Sequence, residues 1–333
     1  MKVPLDASRP LGAIVVGRAG MDLYPTPDGT RIEEATSFAA EIGGSAGNIA
    51  VAIARHGFRT ALITCLSDDA VGRFVSAALA RLSVDTGRCR LVKGDYRTSL
   101  ALAETRKEDC SVVIYRNQAA DLQLRADDFD PAQIASAAVL VVTGTALVGD
   151  PSRSAVMHAL ALARATNTFT ILDIDHRAYS WPSNEVAAKV YLEAARLCDA
   201  VVGNDDEFAL LASGEPIAAA REFVAGGGNF AVLKKGAGGS TTLTSRGETD
   251  AGIFPVQVKK PFGAGDAFLG TLVAGLLSGA DLQAAVVRSS AAAAFVVSRR
   301  GCAFAMPTPA ELDQFIAEYP TPKAAHAHPA VRQ

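Results

Sequence analysis

The stretch Phe169-Thr170-Ile171-Leu172-Asp173-Ile174-Asp175-His176-Arg177 passes directly from an apolar run into a charged loop. Similar apolar runs recur along the chain at 13–16, 61–64, 139–142, 200–202 and 231–233. A parallel sheet that is covered on both faces needs strands of this nearly uniform apolar character. We therefore expect these runs to form the central sheet of an α/β protein.

Alanine-rich stretches with helical character separate the apolar runs, at 49–56, 71–82, 152–165 and 187–197. This alternation predicts helices packed on a central, mainly parallel sheet. Two strand-like segments, 98–104 and 111–116, break the rhythm, and the charged turn between them predicts an antiparallel hairpin. Together with residues 29–42, the hairpin predicts a small extra sheet over one end of the main sheet.

The chain contains no internal repeat and no long linker. We therefore expect a single domain over residues 1–320, with lid segments at about 18–42 and 95–120. The residues at 321–333 are expected to form a disordered tail.

The composition limits the possible classes of function. The 333 residues are 49% hydrophobic and 20% charged, which is ordinary for a globular protein. A net charge of -3 provides no basic field, so we expect neither nucleic acid nor a membrane as a partner. The five scattered cysteines form no Cys-x-x-Cys pair, which predicts no disulfide framework or zinc site and a cytoplasmic location. The first residues lack a signal-peptide core.

The strongest chemical motif is Lys260-Pro261-Phe262-Gly263-Ala264-Gly265-Asp266-Ala267-Phe268. Apolar residues after Asp266 recur at helical spacing, so the Gly-Ala-Gly triplet is predicted to lie at a helix N-terminus. Unpaired N–H groups and the helix dipole favour an anion there. Asp266 is placed to accept a proton from a hydroxyl that attacks a phosphate. The alternative is a plain helix start with an acidic first-turn residue, which the fragment alone favours.

Two further motifs precede predicted helices. The first is Gly43-Gly44-Ser45-Ala46-Gly47-Asn48, in which Asn48 offers a donor and an acceptor to a polyol; the alternative is a turn that serves packing only. The second is Gly203-Asn204-Asp205-Asp206-Glu207-Phe208, whose oxygen ligands at a strand end suit Mg²⁺. The alternative for the second motif is an N-cap at Asn204 with acidic first-turn residues.

Two more loops follow apolar runs. The loop Leu233-Lys234-Lys235-Gly236-Ala237-Gly238-Gly239-Ser240 either wraps a nucleotide or forms a hairpin turn. In the loop that begins at Asp173, Arg177 could hold a phosphate or a carboxylate. The chain contains no Gly-Lys pair, which excludes a P-loop. No Gly-x-Gly-x-x-Gly follows the first apolar run, which argues against a dinucleotide-dependent dehydrogenase.

In this order, the motifs resemble those of the ribokinase-like (PfkB) family of carbohydrate kinases over residues 12–309. The resemblance implies a three-layer α/β/α sandwich with a mainly parallel central sheet and a small β-sheet lid. It implies ATP and Mg²⁺ as cofactors and leaves open whether a monovalent cation such as K⁺ is required. Asp266 would be the catalytic base, and the N–H groups of Gly263, Ala264 and Gly265 would form an anion hole.

The resemblance also implies binding roles for residues in the other motifs. Asn204 and Glu207 match an Asn-x-x-Glu element that positions Mg²⁺ through water. The implied nucleotide-binding residues, beyond that pair, are Lys234, Gly236 and Gly238. The implied binders of substrate hydroxyls are Asp22, Gly43, Gly44 and Asn48.

One departure from the family pattern indicates a particular branch of the family. Many members carry Asp-Thr-x before the glycines, where this chain has Lys260-Pro261-Phe262. Stretches 17–25, 115–122, 144–147, 173–177 and 302–308 are similar to one branch of the family, whose substrate is the keto sugar acid 5-dehydro-2-deoxy-D-gluconate. The resemblance implies phosphorylation of its 6-hydroxyl, in myo-inositol catabolism. The alternatives are a kinase for 2-keto-3-deoxygluconate or fructose and, from another class, a sugar-binding regulator without catalysis.

The implied substrate and ATP are both anionic, so the site should contain cations besides Mg²⁺. Arg116, at the end of the predicted lid hairpin, and Arg177 are the candidates for the substrate carboxylate. The alternative for Arg116 is a solvated surface side chain. The lid is expected to close over the sugar and exclude water, and its exposed face is expected to form a homodimer.

Overall fold

The computed structural model describes residues 1–106, 109–212, 214–260 and 262–319. Its strands are β1 Leu11–Val16, β2 Gly20–Pro25, β3 Phe38–Gly43, β4 Thr60–Ser67, β5 Val84–Asp85, β6 Cys89–Val92, β7 Leu100–Ala103, β8 Val112–Tyr115, β9 Ala137–Thr143, β10 Phe169–Asp173, β11 Ala200–Asn204, β12 Phe230–Lys234, β13 Ser240–Thr244 and β14 Gly247–Ala251. Its helices are α1 Ser45–Arg55, α2 Ala70–Arg81, α3 Pro131–Ser136, α4 Ser152–Ala165, α5 Asn184–Ala195, α6 Asp205–Leu211, α7 Pro216–Ala225, α8 Ala264–Leu277, α9 Leu282–Val297 and α10 Pro309–Glu318.

Ten of the strands form one large sheet in the order β14-β13-β12-β11-β10-β9-β1-β4-β5, with β6 paired to β4. The pairs from β12 through β4 are parallel, whereas β13 and β14 are added in antiparallel orientation at one edge. All six apolar runs that predicted the sheet lie in its strands. The parallel strands therefore end at one common edge of the sheet.

Both faces of this sheet are buried, which explains why its strands are apolar at successive positions. On β9, Val139 and Val141 belong to one hydrophobic cluster, and Leu140 and Val142 belong to the other. Residues of α1, α2, α8, α9 and α10 pack in the first cluster, and residues of α3, α4, α5 and α7 pack in the second. The predicted three-layer α/β/α arrangement is confirmed.

A separate four-stranded sheet has the order β3-β2-β7-β8. The hairpin predicted from its charged turn is present, because β7 pairs with β8 in antiparallel orientation with Leu100 opposite Tyr115. β2 and β3 are also antiparallel, and β2 and β7 are parallel. The segments named above as lid segments supply these four strands. We call this the small sheet.

The predicted tail at 321–333 lies outside the described residues, which end at residue 319. Among the described helices, none is both long and apolar enough to cross a membrane.

Close packing of α1 against α8 sets the geometry of one end of the molecule. A Cβ added at Gly270 on α8 would lie 2.3 Å from Ala52 Cβ and 3.0 Å from the Ile49 carbonyl oxygen, both on α1. The glycine thus allows the two helices to approach each other more closely than any side chain would permit. The separation of the two helices also fixes the relative positions of the residues at their N-termini.

The Gly270→Val variant tests this packing. We expect it to lower the free energy of unfolding by about 1–3 kcal/mol, because the inserted side chain must push α1 and α8 apart. Urea unfolding followed by circular dichroism measures the change. Gly149→Ala is the control, because no heavy atom of the described part of the chain lies within 4 Å of an added Cβ there. Equal stability of the two variants would contradict the packing argument.

Candidate active site

A cleft of about 470 Å³ lies between the small sheet and the carboxyl ends of the parallel strands. The loops after β1 and β10 and the ends of β11 and β12 all reach it. Ligands of open α/β sheets bind at such strand ends. Its polar and charged lining residues are Arg18, Asp22, Ser45, Asn48, Asp173, Asp175, Arg177, Asn204, Glu207, Lys234 and Asp266.

Asp266 lies in the first turn of α8 and faces the cleft. Asn48 Nδ2, from the first turn of α1, donates a hydrogen bond to Asp266 Oδ2 at 2.7 Å. Burial raises the pKa of Asp266 to about 6, and the negative charge of Asp175 acts in the same direction. Asn48, Arg177 and Lys234 partly oppose that rise. Asp266 is therefore a carboxylate poised to accept a proton near neutral pH.

Among the residues that the structure describes, no side chain caps the N-terminus of α8. Its N-cap residue, Gly263, has a φ of 87°, a left-handed conformation that side chains rarely adopt. A Cβ there would also lie 3.0 Å from Cys302 Sγ and 3.2 Å from Lys260 Nζ. The first N–H groups of α8, at Ala264 and Gly265, have no partner within the helix and line the cleft. This arrangement suits an anion.

Lys260, the first residue of the unusual prefix, is fully buried behind the start of α8. Its Nζ donates a hydrogen bond to the Phe262 carbonyl oxygen at 2.6 Å and lies 3.6 Å from Cys302 Sγ. The ammonium also lies 5.3 Å from the centroid of the Phe262 ring. A buried cation thus holds the peptide that directly precedes the Gly-Ala-Gly triplet, and it does not itself line the cleft.

A cluster of carboxylates and cations occupies the ends of β10, β11 and β12. Arg177 lies 2.6 Å from Asp175 Oδ1, and Lys234 Nζ lies 3.6 Å from Asp173 Oδ1. Burial raises the pKa of Asp173, while Lys234 opposes that rise. Buried oxygens of both aspartates, Asp173 Oδ1 and Asp175 Oδ2, lack a hydrogen-bond donor among the described residues. Such oxygens fit a hydrated divalent cation or its water ligands.

Asn204 and Glu207 form a reciprocal capping box at the start of α6. Glu207 N donates to Asn204 Oδ1 at 2.8 Å, and Asn204 N donates to Glu207 Oε2 at 2.7 Å. The other carboxylate oxygen of Glu207 accepts from His176 N at 3.0 Å. The N-cap that the sequence left as an alternative therefore exists, and the same pair also lines the cleft.

Gly43 and Gly44, which precede α1, have different structural roles. A Cβ at Gly43 would lie only 1.8 Å from Asp22 Oδ1, so this glycine leaves room for the Asp22 carboxylate and does not line the cleft. Gly44 lines the cleft and has a φ of 91°. Asp22 is buried and accepts a hydrogen bond from Tyr24 Oη at 3.2 Å. Burial raises the pKa of Asp22.

Besides Gly43, three further predicted site residues do not line the cleft. Gly236 and Gly238 lie in the turn of the β12–β13 hairpin, which was the alternative for that loop. Arg116 is buried, with its guanidinium bound to the Asp121 carboxylate and to the Thr145 carbonyl oxygen. An arginine whose charge is already matched in this way is not available at the surface of the cleft. This corrects the placement that the sequence suggested for Arg116.

The cleft also contains charged residues for which no role was predicted from the sequence. They are Arg18, Asp173 and Asp175. Their position was available in the sequence, because Asp173 ends β10 and Arg18 follows β1 by two residues. Charged side chains directly after the apolar runs of a parallel sheet are the signal that identifies them.

Comparison with known proteins agrees with this architecture. The family model described as pfkB family carbohydrate kinase matches residues 12–309. A protein from Photobacterium profundum named 5-dehydro-2-deoxygluconokinase is 42% identical over 322 residues, covering 95% of this chain and 97% of that protein. One of the same name from Geobacillus kaustophilus is 37% identical and covers 97% and 98%.

A solved structure supports the same assignment. It is a fructokinase double mutant from Vibrio cholerae with fructose, ADP and potassium bound, and it superposes with a TM-score of 0.81 at 25% identity. The match covers 92% of this chain and 98% of that one. With nearly the whole chain matched by the family model and by the relatives, this protein belongs to the pfkB family of carbohydrate kinases.

Proposed function

We propose that the protein transfers the γ-phosphoryl group of ATP to the 6-hydroxyl of 5-dehydro-2-deoxy-D-gluconate. The proposal rests on the environment of Asp266. Its pKa is raised to about 6, and its carboxylate lies beside the uncapped start of α8. The names of the two relatives, at 42% and 37% identity, supply the substrate. A kinase for 2-keto-3-deoxygluconate or fructose is the alternative within the same family.

In the proposed reaction, the substrate O6 attacks the γ-phosphorus and its proton passes to Asp266. The bond between the γ-phosphorus and the bridging oxygen breaks, and ADP leaves with the electron pair. The N–H groups at Gly263, Ala264 and Gly265 receive the charge that develops on the transferring phosphoryl oxygens. These donors are already fixed by the helix, so they need no rearrangement during the reaction.

The other residues would bind and orient the reactants. Asp22, Gly44 and Asn48 would contact substrate hydroxyls on the α1 side of the cleft, with Gly43 giving Asp22 its space. We assign Lys234 to the nucleotide, with Arg177 near the phosphates. Gly236 and Gly238 do not line the cleft, and we place the part of the nucleotide farther from the phosphates beside them.

Asn204 and Glu207 would position Mg²⁺ through water. When bound, the ion neutralises charge on the phosphates. The buried aspartate oxygens without donors, at Asp173 and Asp175, are compatible with such a hydrated ion.

A substrate panel tests the proposal directly. With ATP and Mg²⁺, we expect kcat/KM for 5-dehydro-2-deoxy-D-gluconate to exceed that for 2-keto-3-deoxygluconate and fructose by at least about 100-fold, because a mispaired charge or hydroxyl costs about 1–3 kcal/mol per site. A coupled ADP-release assay measures the rates. The same assay with Na⁺ in place of K⁺ tests the monovalent-cation requirement. A preference for fructose would overturn the substrate.

The pH dependence follows from the state of Asp266. A general base acts only when it is deprotonated, so kcat/KM should be level above pH 7 and fall about tenfold per unit below about pH 6. In Asp175→Asn, the loss of the neighbouring negative charge should move the acid limb to lower pH. An acid limb centred near pH 4 in the wild type would contradict the burial argument.

The Asp266→Asn variant should lower kcat by about 10²–10⁴-fold, which is the usual contribution of a positioned base. ATP binding, measured by isothermal calorimetry, should remain largely in place because the amide keeps the shape of the side chain. Unchanged turnover would show that another group accepts the proton.

The stability of Asp266→Asn distinguishes a chemical defect from misfolding. The raised folded-state pKa means that the ionised carboxylate destabilises the native protein above its ordinary pKa, and that protonation relieves this cost. The variant should therefore be more stable than the wild type at pH 8, by about 1–3 kcal/mol. The difference should shrink as the pH falls from 6 towards 4, as urea unfolding would show.

We also propose that the protein forms a homodimer through the small sheet. The strand register places Met21, Leu23, Leu100, Leu102 and Val113 on one face, with Tyr115 beside Leu100 and Phe38 beside Pro25. The opposite face, with Ala101, Ala103 and Ile114, lines the cleft. Tyr115 is 58% exposed, Val113 is 41% exposed and Phe38 is 38% exposed. An apolar sheet face of this kind suits a second copy of the same face.

Charge introduced on that face tests the dimer. We expect Val113→Glu to convert a dimer of the wild type into a monomer, because the carboxylate would be buried between two apolar sheets. Light scattering coupled to size-exclusion chromatography measures the mass. Val186→Glu is the control, since Val186 has a similar exposure on α5. A monomeric wild type would refute the proposal.

A further inference from the structure

Arg18 is held at the edge of the cleft by its own backbone. It follows β1, and its carbonyl oxygen accepts a hydrogen bond from Gly47 N at 3.2 Å. A Cβ at Gly44 would lie 2.5 Å from the same carbonyl oxygen, so only glycine permits this approach. The loop before α1 therefore fixes the Cα of Arg18 relative to Asn48 and, through Asn48, relative to Asp266.

The side chain of Arg18 is oriented from the small sheet. Its Nη1 donates a hydrogen bond to Ser99 Oγ at 3.1 Å. Ser99 is almost completely buried. Its Oγ lies so close to Gly20 that a Cβ added at Gly20 would be only 2.5 Å from it. The buried Ser99 hydroxyl is held in a fixed position, because Gly20 leaves just enough room for it. It therefore restrains the Arg18 guanidinium through Nη1 and leaves the other N–H groups for a ligand.

Arg18 differs from the other cations that line the cleft in whether its charge is paired with a carboxylate. Arg177 pairs with Asp175, and Lys234 pairs with Asp173. Within the part of the chain that the structure describes, no carboxylate oxygen lies within 4.0 Å of the Arg18 guanidinium. Arg18 is half-buried and lines the cleft.

We propose that Arg18 binds the carboxylate of the substrate and thereby selects a sugar acid over a neutral sugar. A guanidinium offers two parallel N–H groups that match a carboxylate, and such charge-assisted pairs are stronger than neutral hydrogen bonds. The inference rests on the proposed function for the identity of the acid. It orients the substrate with its 6-hydroxyl at Asp266 and its carboxylate towards the small sheet.

Kinetics of Arg18→Gln test the inference. For 5-dehydro-2-deoxy-D-gluconate we expect KM to rise about 10- to 100-fold, the effect of losing hydrogen bonds to a charged group. The KM for ATP should not change, and kcat/KM for the uncharged carboxamide of the same substrate should change less than threefold. Arg73→Gln, an exposed arginine on α2, is the matched control and should behave like the wild type.

A second variant covers the case in which Arg18→Gln does not fold. Arg18→Lys keeps the charge but loses the paired geometry, and it should show an intermediate KM for the acid. Wild-type KM values for the acid in both variants, or equal losses with acid and carboxamide, would overturn the role of Arg18.

The outcomes also separate this inference from the proposed function. If the wild type prefers another sugar acid and Arg18→Gln loses that preference, the substrate is wrong and the role of Arg18 stands. If the wild type uses the proposed acid and Arg18→Gln is unaffected, only the role of Arg18 fails. If the wild type uses neutral sugars alone, both fail.

Discussion

The hydrogen bond from the Asn48 amide to the Asp266 carboxylate joins the two sides of the cleft. Asn48 lies at the start of α1, which follows the small sheet, and Asp266 lies at the start of α8. The close approach of these helices at Gly270 keeps the two side chains at 2.7 Å. The hydrogen bond therefore links the base and the donors at the start of α8 directly to the polyol-binding loop.

Around this bond, the cleft contains several carboxylates that are paired with cations. Asp173 and Asp175 are each paired with a cation, and together with Glu207 they surround the place assigned to the phosphates. Charges removed from water are costly unless they are paired, and a cluster of this kind is typical of a ligand-binding site. Lys260 contributes from behind, where its ammonium holds the peptide before Gly263 without facing the cleft.

The sequence predicted the parts of the molecule that depend on local pattern. The apolar runs became strands of the sheet, and the charged turn became the β7–β8 hairpin. Asp266, Asn48, Asn204 and Glu207 were brought to one cleft because strand ends and helix starts of a parallel sheet meet at one edge. These features follow from periodicity and from the position of glycines, both of which can be read along the chain.

The pairing of charges could not be predicted, because it depends on contacts between distant segments. Arg116 looked available at the end of a hairpin, but the fold brings its guanidinium to Asp121 and to the carbonyl oxygen of Thr145. No role was predicted for Arg18, because only the folded chain shows that no carboxylate of the described residues lies within 4.0 Å of its guanidinium. The role of Gly43 also could not be predicted from the sequence, because only the folded chain places the Asp22 carboxylate against it.

A crystal structure with Mg²⁺, a non-hydrolysable ATP analogue and 5-dehydro-2-deoxy-D-gluconate would show whether Asp266 contacts the reacting hydroxyl. We expect the substrate O6 within about 3.2 Å of an Asp266 carboxylate oxygen and the γ-phosphate at the first N–H groups of α8. A substrate bound in the cleft with O6 turned away from Asp266, or a γ-phosphate far from α8, would contradict it.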